Sequence, residues 1–116
     1  MEITLPLLVR QALERLIRAF DPEQVLLFGS VAKGTNDDNS DVDLLIVTRT
    51  VDDVSLLRRR ARQLTAGCFP AVDIVFVSSD ELANAEILKS PFLASITEKG
   101  LVVYLKVQSE AVRPNN

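Results

Sequence analysis

Residues 25–44 have the sequence VLLFGSVAKGTNDDNSDVDL, in which a polar segment joins two apolar runs. The first run, residues 25–28, is wholly apolar and ends at a glycine, which is typical of a short strand buried on both faces. The second run, residues 42–47, is also apolar except near its start, where Asp41 and Asp43 stand. This segment predicts two buried strands joined by a polar, glycine-containing connection.

Helices and further strands are predicted on both sides of this segment. Apolar residues recur at helical spacing before it, and helical and strand patterns alternate after it. In chain order, the predicted elements are a helix over 5–20, strands over 25–28 and 42–47, a helix over 55–66, a strand over 71–77, short helices over 80–88 and 91–99, and a strand over 101–105.

Two connections predict the directions of the strands. The helix-bearing segment between the second and third strands permits a parallel pair. Gly29 follows the first strand, and Asp41 and Asp43 stand at the start of the second. If these residues share one site, the end of the first strand lies beside the start of the second, so this pair of strands should be antiparallel. We therefore expect an α+β fold (a two-layer α/β arrangement) with a mixed four-stranded sheet and helices packed on it.

The composition fits one globular domain. The chain has 116 residues, of which 47% are apolar and 25% charged, as in ordinary soluble domains. At this size only about two thirds of the unfolded surface can be buried, which leaves little chain for a separate substrate-binding lobe. We expect the domain over residues 1–106 and a flexible tail over 107–116.

Composition also argues against several classes of function. The net charge of -3 disfavours nucleic acid as a partner, because binding its backbone requires a basic surface. With no histidine and a single cysteine, Cys68, histidine-based and thiolate-cluster zinc sites are excluded. No apolar run approaches the roughly 18 residues of a membrane span and no signal peptide is evident, so we expect a cytoplasmic protein without a membrane partner.

Asp41 and Asp43 form a candidate metal site. Side chains two apart in a strand project from the same face. Two unit negative charges about 4 Å apart repel by roughly 4 kcal/mol at an effective dielectric constant near 20, and a hard cation such as Mg²⁺, which prefers oxygen ligands, would offset this cost. The alternative interpretation is a solvated acidic turn, because Asp37 and Asp38 are close in sequence.

Asp73 is the candidate third carboxylate. It interrupts the otherwise apolar strand over 71–77, where burial of a charge needs a reason. Parallel pairing of the second and third strands would bring it beside Asp41 and Asp43, where it could bind metal or act as a base. Alternatively, it is a strand-end residue paired to an arginine.

Gly29 and Ser30 are candidates for phosphate binding. Glycine allows close approach of a backbone to phosphate, and amides at the start of a following helix can donate hydrogen bonds to phosphate oxygens. Ser30 and Lys33 are expected to face a triphosphate, and Gly34 allows the next sharp turn. An ordinary turn is the alternative.

The pair Gly29-Ser30, followed after ten residues by Asp41-Val42-Asp43, resembles the signature of the polymerase beta-like nucleotidyltransferases. Over residues 25–105 the chain is most similar to the minimal nucleotidyltransferase (MNT) subgroup, whose members are often antitoxins paired with a helical HEPN-type ribonuclease. One departure is Val31, a position that is commonly arginine in relatives.

This resemblance implies a chemistry and a partner. It implies transfer of AMP from ATP with two Mg²⁺ ions held by Asp41, Asp43 and Asp73, Asp73 helping to deprotonate the acceptor. It also implies phosphate contacts at Gly29 and Ser30, and a tyrosine of the toxin as acceptor. The alternatives are an antitoxin that acts by occlusion without catalysis, and a nucleotidyltransferase acting on a small molecule.

Two further surfaces are candidates for binding. Phe92, Leu93 and Ile96 form an apolar stripe at helical spacing, which we expect to be partly uncovered and to contact a partner. Four arginines precede the third strand, and they either form a solvated helix face or bind the partner or nucleotide. These arginines are Arg58, Arg59, Arg60 and Arg62.

Overall fold

The computed structural model describes residues 5–37, 39–85 and 89–107. Its elements in chain order are α1 (Leu7–Phe20), β1 (Gln24–Phe28), α2 (Gly29–Lys33), β2 (Val42–Thr48), α3 (Val54–Leu64), β3 (Val72–Ser78), α4 (Ser79–Ala83), α5 (Pro91–Lys99) and β4 (Leu101–Leu105). The end of the predicted helix over 80–88 and most of the expected tail over 107–116 fall outside the described residues.

The four strands form one mixed sheet in the order β3-β2-β1-β4. Strand β1 pairs antiparallel with both β2 and β4, whereas β2 and β3 are parallel. Both predicted strand directions, the mixed four-stranded sheet and the α+β fold class are therefore confirmed. The expected two-layer arrangement is not, because helices pack on both faces of the sheet. The antiparallel pair follows from the short connection through α2, and the parallel pair from the longer crossover through α3.

The two central strands are buried on both faces. On one face, side chains such as Leu27 and Leu44 pack in a cluster with residues of α1 and α3. On the other face, Leu26 and Leu45 pack in a second cluster with Ile96 of α5. This double burial explains why both runs are almost wholly apolar, since strands covered on both faces lack the alternation of half-exposed strands.

Helix α5 carries the apolar stripe expected from the sequence, and the domain covers this stripe only in part. Ile96 is only 3% exposed and Leu93 packs against the same cluster, so these two residues of the predicted partner-binding stripe belong to the core. Phe92, in contrast, is 50% exposed. The stripe is therefore partly uncovered, as expected, but only at Phe92, because helical periodicity marks an apolar face and does not say how much of it the domain covers. That this stripe contacts a partner stays a prediction.

Within the described ranges, no helix combines the length and apolar character that crossing a lipid bilayer requires.

Helix α4 begins with a capping box that yields a testable stability effect. The side chain of Ser78 accepts a hydrogen bond from the backbone N–H of Glu81, and the Glu81 carboxylate accepts one from the Ser78 N–H at 3.2 Å. We expect Ser78→Ala to lower the free energy of unfolding by about 1 kcal/mol in urea denaturation. Ser95→Ala, at an exposed position inside α5, is the control and should change stability by less than about 0.5 kcal/mol; equal losses would contradict the capping role.

Candidate active site

The sheet register brings two of the predicted carboxylates together. In the parallel pair, Asp43 of β2 lies opposite Asp73 of β3, and neighbouring strands are about 4.8 Å apart. On the other side, Asp43 lies opposite Phe28, the last residue of β1. Asp41 immediately precedes β2 and is exposed, as is Asp73, whereas Asp43 is half-buried. The three carboxylates thus occupy one edge of the sheet where β1 ends and β2 and β3 begin.

The pKa of Asp43 reflects the negative charges gathered at this edge of the sheet. Burial raises the pKa of the Asp43 carboxyl above its ordinary value, and the negative charges of Asp73 and Asp41 raise this pKa further. The three groups are therefore close enough to repel one another. Such a cluster of like charges is unfavourable without a compensating cation.

The donor set fits a hard divalent cation, although the side chains are not in a coordinating arrangement. Among the described residues, no three acidic, histidine or cysteine side chains are placed closely enough to hold a metal ion. Charge repulsion acts over longer distances than coordination, so both observations hold together. Because Asp41 and Asp73 are exposed, their side chains can change rotamer to share a cation with Asp43.

Gly29 forms the junction between β1 and α2 and touches the carboxylate cluster. Its φ is +77°, in the left-handed region that glycine adopts at little cost. A Cβ atom at this position would overlap Oδ2 of Asp43. The sequence suggested Gly29 as a phosphate-binding residue, but its close contact with Asp43 could not be derived from the spacing of the two residues.

The other predicted phosphate-binding residues lie along α2. Ser30 is half-buried in the first turn, and its carbonyl accepts a hydrogen bond from the Thr35 N–H at 3.0 Å. Gly34 ends the helix with φ of +76°, which agrees with the sharp turn expected there. Lys33, in the last turn, is exposed.

Gly29 and Lys33 line one cavity of about 190 Å³ between α2 and α5. Its wall includes an aromatic pair, Phe28 and Phe92, whose ring centroids are 5.5 Å apart in an edge-to-face arrangement. A second lysine, Lys99, also lines it. The sequence does not mark Phe28 or Lys99 as candidate site residues, because no motif indicates them and only the packing of α5 against β1 brings them to one cavity.

The alternative interpretation of Asp73 as an arginine-paired residue is not supported. Arg58 and Arg62 line a groove of about 180 Å³ that also includes Asp73. In the part of the chain that the structure describes, however, the only salt bridge joins Lys106 to Asp21, at 2.9 Å. The charge of Asp73 is therefore not neutralised by an arginine ion pair among these residues.

Fold and sequence together define the class of protein. The chain belongs to the polymerase beta nucleotidyltransferase family, whose sequence model matches residues 11–106. No curated protein matches the sequence.

Solved structures of similar fold include a candidate nucleotidyltransferase from Sulfolobus solfataricus, with a TM-score of 0.59 and 21% identity, covering 85% of this chain and 78% of that one. They also include a toxin–antitoxin structure with AMP-PNP, with a TM-score of 0.55 and 23% identity, covering 87% of this chain and 77% of that one. At these identities the likeness establishes the fold.

Proposed function

We propose that this protein is a Mg²⁺-dependent nucleotidyltransferase that transfers AMP from ATP to a hydroxyl group, namely a tyrosine of a partner ribonuclease toxin of the HEPN type. The observation that carries the proposal is the register of Asp43 and Asp73, with Asp41 next to them, at the edge of the sheet that Gly29 contacts. The raised pKa of Asp43 supports a shared charge cluster.

Each residue of this edge has a proposed role in the transfer. Asp41, Asp43 and Asp73 hold the divalent cations, two in number, which neutralise phosphate charge when bound. Gly29 and Ser30 approach the phosphates, and Lys33 adds positive charge. The acceptor oxygen bonds to the α-phosphorus, the bond to the bridging oxygen breaks, and pyrophosphate leaves. Asp73, which is exposed, takes the proton of the acceptor hydroxyl.

The protein acceptor is supported by one comparison. A structure of similar fold is a toxin–antitoxin structure with AMP-PNP. A partner would then provide the acceptor and part of its binding surface.

Transfer can be measured directly. We expect incubation with α-labelled ATP, Mg²⁺ and the protein encoded by the adjacent gene to place one AMP on a tyrosine of that protein, located by mass spectrometry. EDTA should abolish the label. Mg²⁺ with ATP should also stabilise the isolated chain, by about 2.7 kcal/mol at 100 times the dissociation constant, whereas absence of both effects would contradict the proposal.

Occlusion without catalysis is the second candidate, favoured by exposed apolar side chains on β4. Val102 is 55% and Leu105 is 66% exposed, and such side chains suit a protein contact. If the chain inhibits its partner in the presence of EDTA and without transfer, occlusion replaces catalysis. If labelled AMP appears instead on a small hydroxyl compound, the acceptor assignment is wrong.

A further inference from the structure

The cavity between α2 and α5 has an aromatic wall that the proposed chemistry does not use. Phe92 is 50% exposed and packs edge-to-face on Phe28, with an interplanar angle of 85°. Phe28 lies opposite Asp43 in the sheet, so this wall stands one strand away from the carboxylate cluster. Ligand cavities are lined mainly by apolar and aromatic side chains, and the exposed part of the Phe92 ring is free to pack on another flat ring.

The charges around the cavity favour an anionic ligand. Lys33 and Lys99 line it, and the described residues of its wall include no carboxylate. The wall therefore combines two cations with an apolar ring. This combination matches a molecule that has both a flat aromatic part and negative charges, such as a nucleotide.

The size of the cavity limits what part of such a ligand it can hold. Its volume is about 190 Å³, and a cavity of roughly 150 Å³ is sufficient for benzene. One heterocyclic base fits this space, whereas a whole nucleoside triphosphate does not. The remainder of the ligand must extend outside the cavity.

Gly29 connects the cavity to the carboxylate cluster. It lines the cavity, and its Cα is so close to Asp43 that an added Cβ would overlap the carboxylate. A ligand with its flat part in the cavity would thus have its charged part next to Gly29 and the aspartates.

We propose that this cavity receives the base of the bound nucleoside triphosphate, stacked on Phe92, with Lys33 and Lys99 near its phosphates. This inference rests on the proposed function, since it assumes a nucleotide at Asp41, Asp43 and Asp73. It adds the location of the base and makes Phe92 and Lys99 binding residues.

A single tryptophan probe tests the location of the base. The chain contains no tryptophan, so Phe92→Trp introduces one fluorophore into the cavity wall. Mg²⁺ with ATP should quench its fluorescence, whereas Mg²⁺ with inorganic tripolyphosphate should not, because tripolyphosphate has no base to stack. The matched control is Leu56→Trp, at a 57% exposed position on α3, whose fluorescence should not respond to either compound.

Affinity measurements test the same contact without a fluorophore. Phe92→Ala should weaken binding of Mg²⁺-ATP by about tenfold, a usual consequence of losing one base–aromatic stack, and leave binding of Mg²⁺-tripolyphosphate unchanged. Ser95→Phe should weaken Mg²⁺-ATP as well, because it fills the cavity from an exposed position of α5 without removing a core contact. Leu56→Ala serves as the control for both.

Distinct outcomes separate this inference from the proposed function. If wild type binds Mg²⁺-ATP and transfers AMP, but Phe92→Ala and Ser95→Phe bind it equally well, the base lies elsewhere and only the inference fails. If Phe92→Ala bound Mg²⁺-ATP and Mg²⁺-tripolyphosphate more weakly by the same factor, the inference would also fail. If the partner protein, and not ATP, quenches the Phe92→Trp variant, the cavity is an acceptor site. If wild type neither binds nor transfers, both proposals fail.

Discussion

Replacing Asp41 and Asp43 together with asparagine should reduce nucleotidyl transfer by at least about 1,000-fold while leaving the fold intact. Charge neutralisation by bound metal contributes several kcal/mol to such reactions, and each 1.36 kcal/mol is worth tenfold in rate. The substitution keeps the volume of both side chains. Transfer of labelled AMP and circular dichroism would measure the two effects, and the stabilisation by Mg²⁺-ATP should disappear with activity.

Stability without metal should change in the opposite direction to activity. Burial first, and then the charges of Asp73 and Asp41, raise the pKa of Asp43 in the folded protein. The folded state therefore holds this proton more tightly, so ionisation of Asp43 costs stability as pH rises through the folded-state pKa. In EDTA at pH 7, Asp43→Asn should be slightly more stable than wild type, by less than about 1 kcal/mol because the group is partly exposed.

The pH dependence of stability and a control substitution both test the expected gain in stability of Asp43→Asn. The advantage of Asp43→Asn should shrink as pH falls towards the ordinary value of 3.8, where Asp43 of wild type is protonated. Asp52→Asn, an exposed substitution beyond the far end of β2, makes the same charge change and should alter neither transfer nor this pH dependence. Full transfer by the Asp41→Asn, Asp43→Asn variant would end the assignment of these residues as metal ligands.

Gly29→Ala should separate backbone strain from damage to the site. Alanine at a φ of +77° costs about 1–2 kcal/mol of stability. Its Cβ also overlaps Oδ2 of Asp43, so the carboxylate must move away from its place opposite Asp73. A misplacement of about 1 Å at a reacting centre can cost about 100-fold in rate, and we expect a loss of that size in AMP transfer.

Gly67 supplies a closely matched control. Its φ is +79°, but a Cβ there would meet no atom within 4 Å. Gly67→Ala should therefore lose a similar 1–2 kcal/mol in urea denaturation and keep its transfer activity. If both variants lost activity equally, strain alone would account for the effect and the contact between Gly29 and Asp43 would be irrelevant to function.

Much of the fold follows from local patterns in the sequence. The apolar runs at residues 25–28 and 42–47, the second interrupted by Asp43, predicted the two central strands, because strands covered on both faces are nearly continuous apolar runs. The helical segment before β3 predicted a parallel crossover, and the spacing of Asp41 and Asp43 predicted carboxylates at the start of β2. These features depend on chain geometry over a few residues, so they are visible without a structure.

The burial of individual residues in α5 could not be predicted from local sequence patterns. Periodicity correctly gave Phe92, Leu93 and Ile96 one helical face, but the position of α5 on the sheet decides which of them meets the core. Ile96 packs with Leu26 and Leu45, while Phe92 is left at the cavity.

The amino-acid sequence thus specified the strands, their directions and the acidic residues where β2 and β3 begin. Tertiary structure alone decided which residues of distant elements touch: Gly29 against Asp43, and Phe28 against Phe92. The physical reason is that strand and helix periodicities set the direction of a side chain relative to its own element. Contacts between elements depend instead on how their surfaces pack against each other.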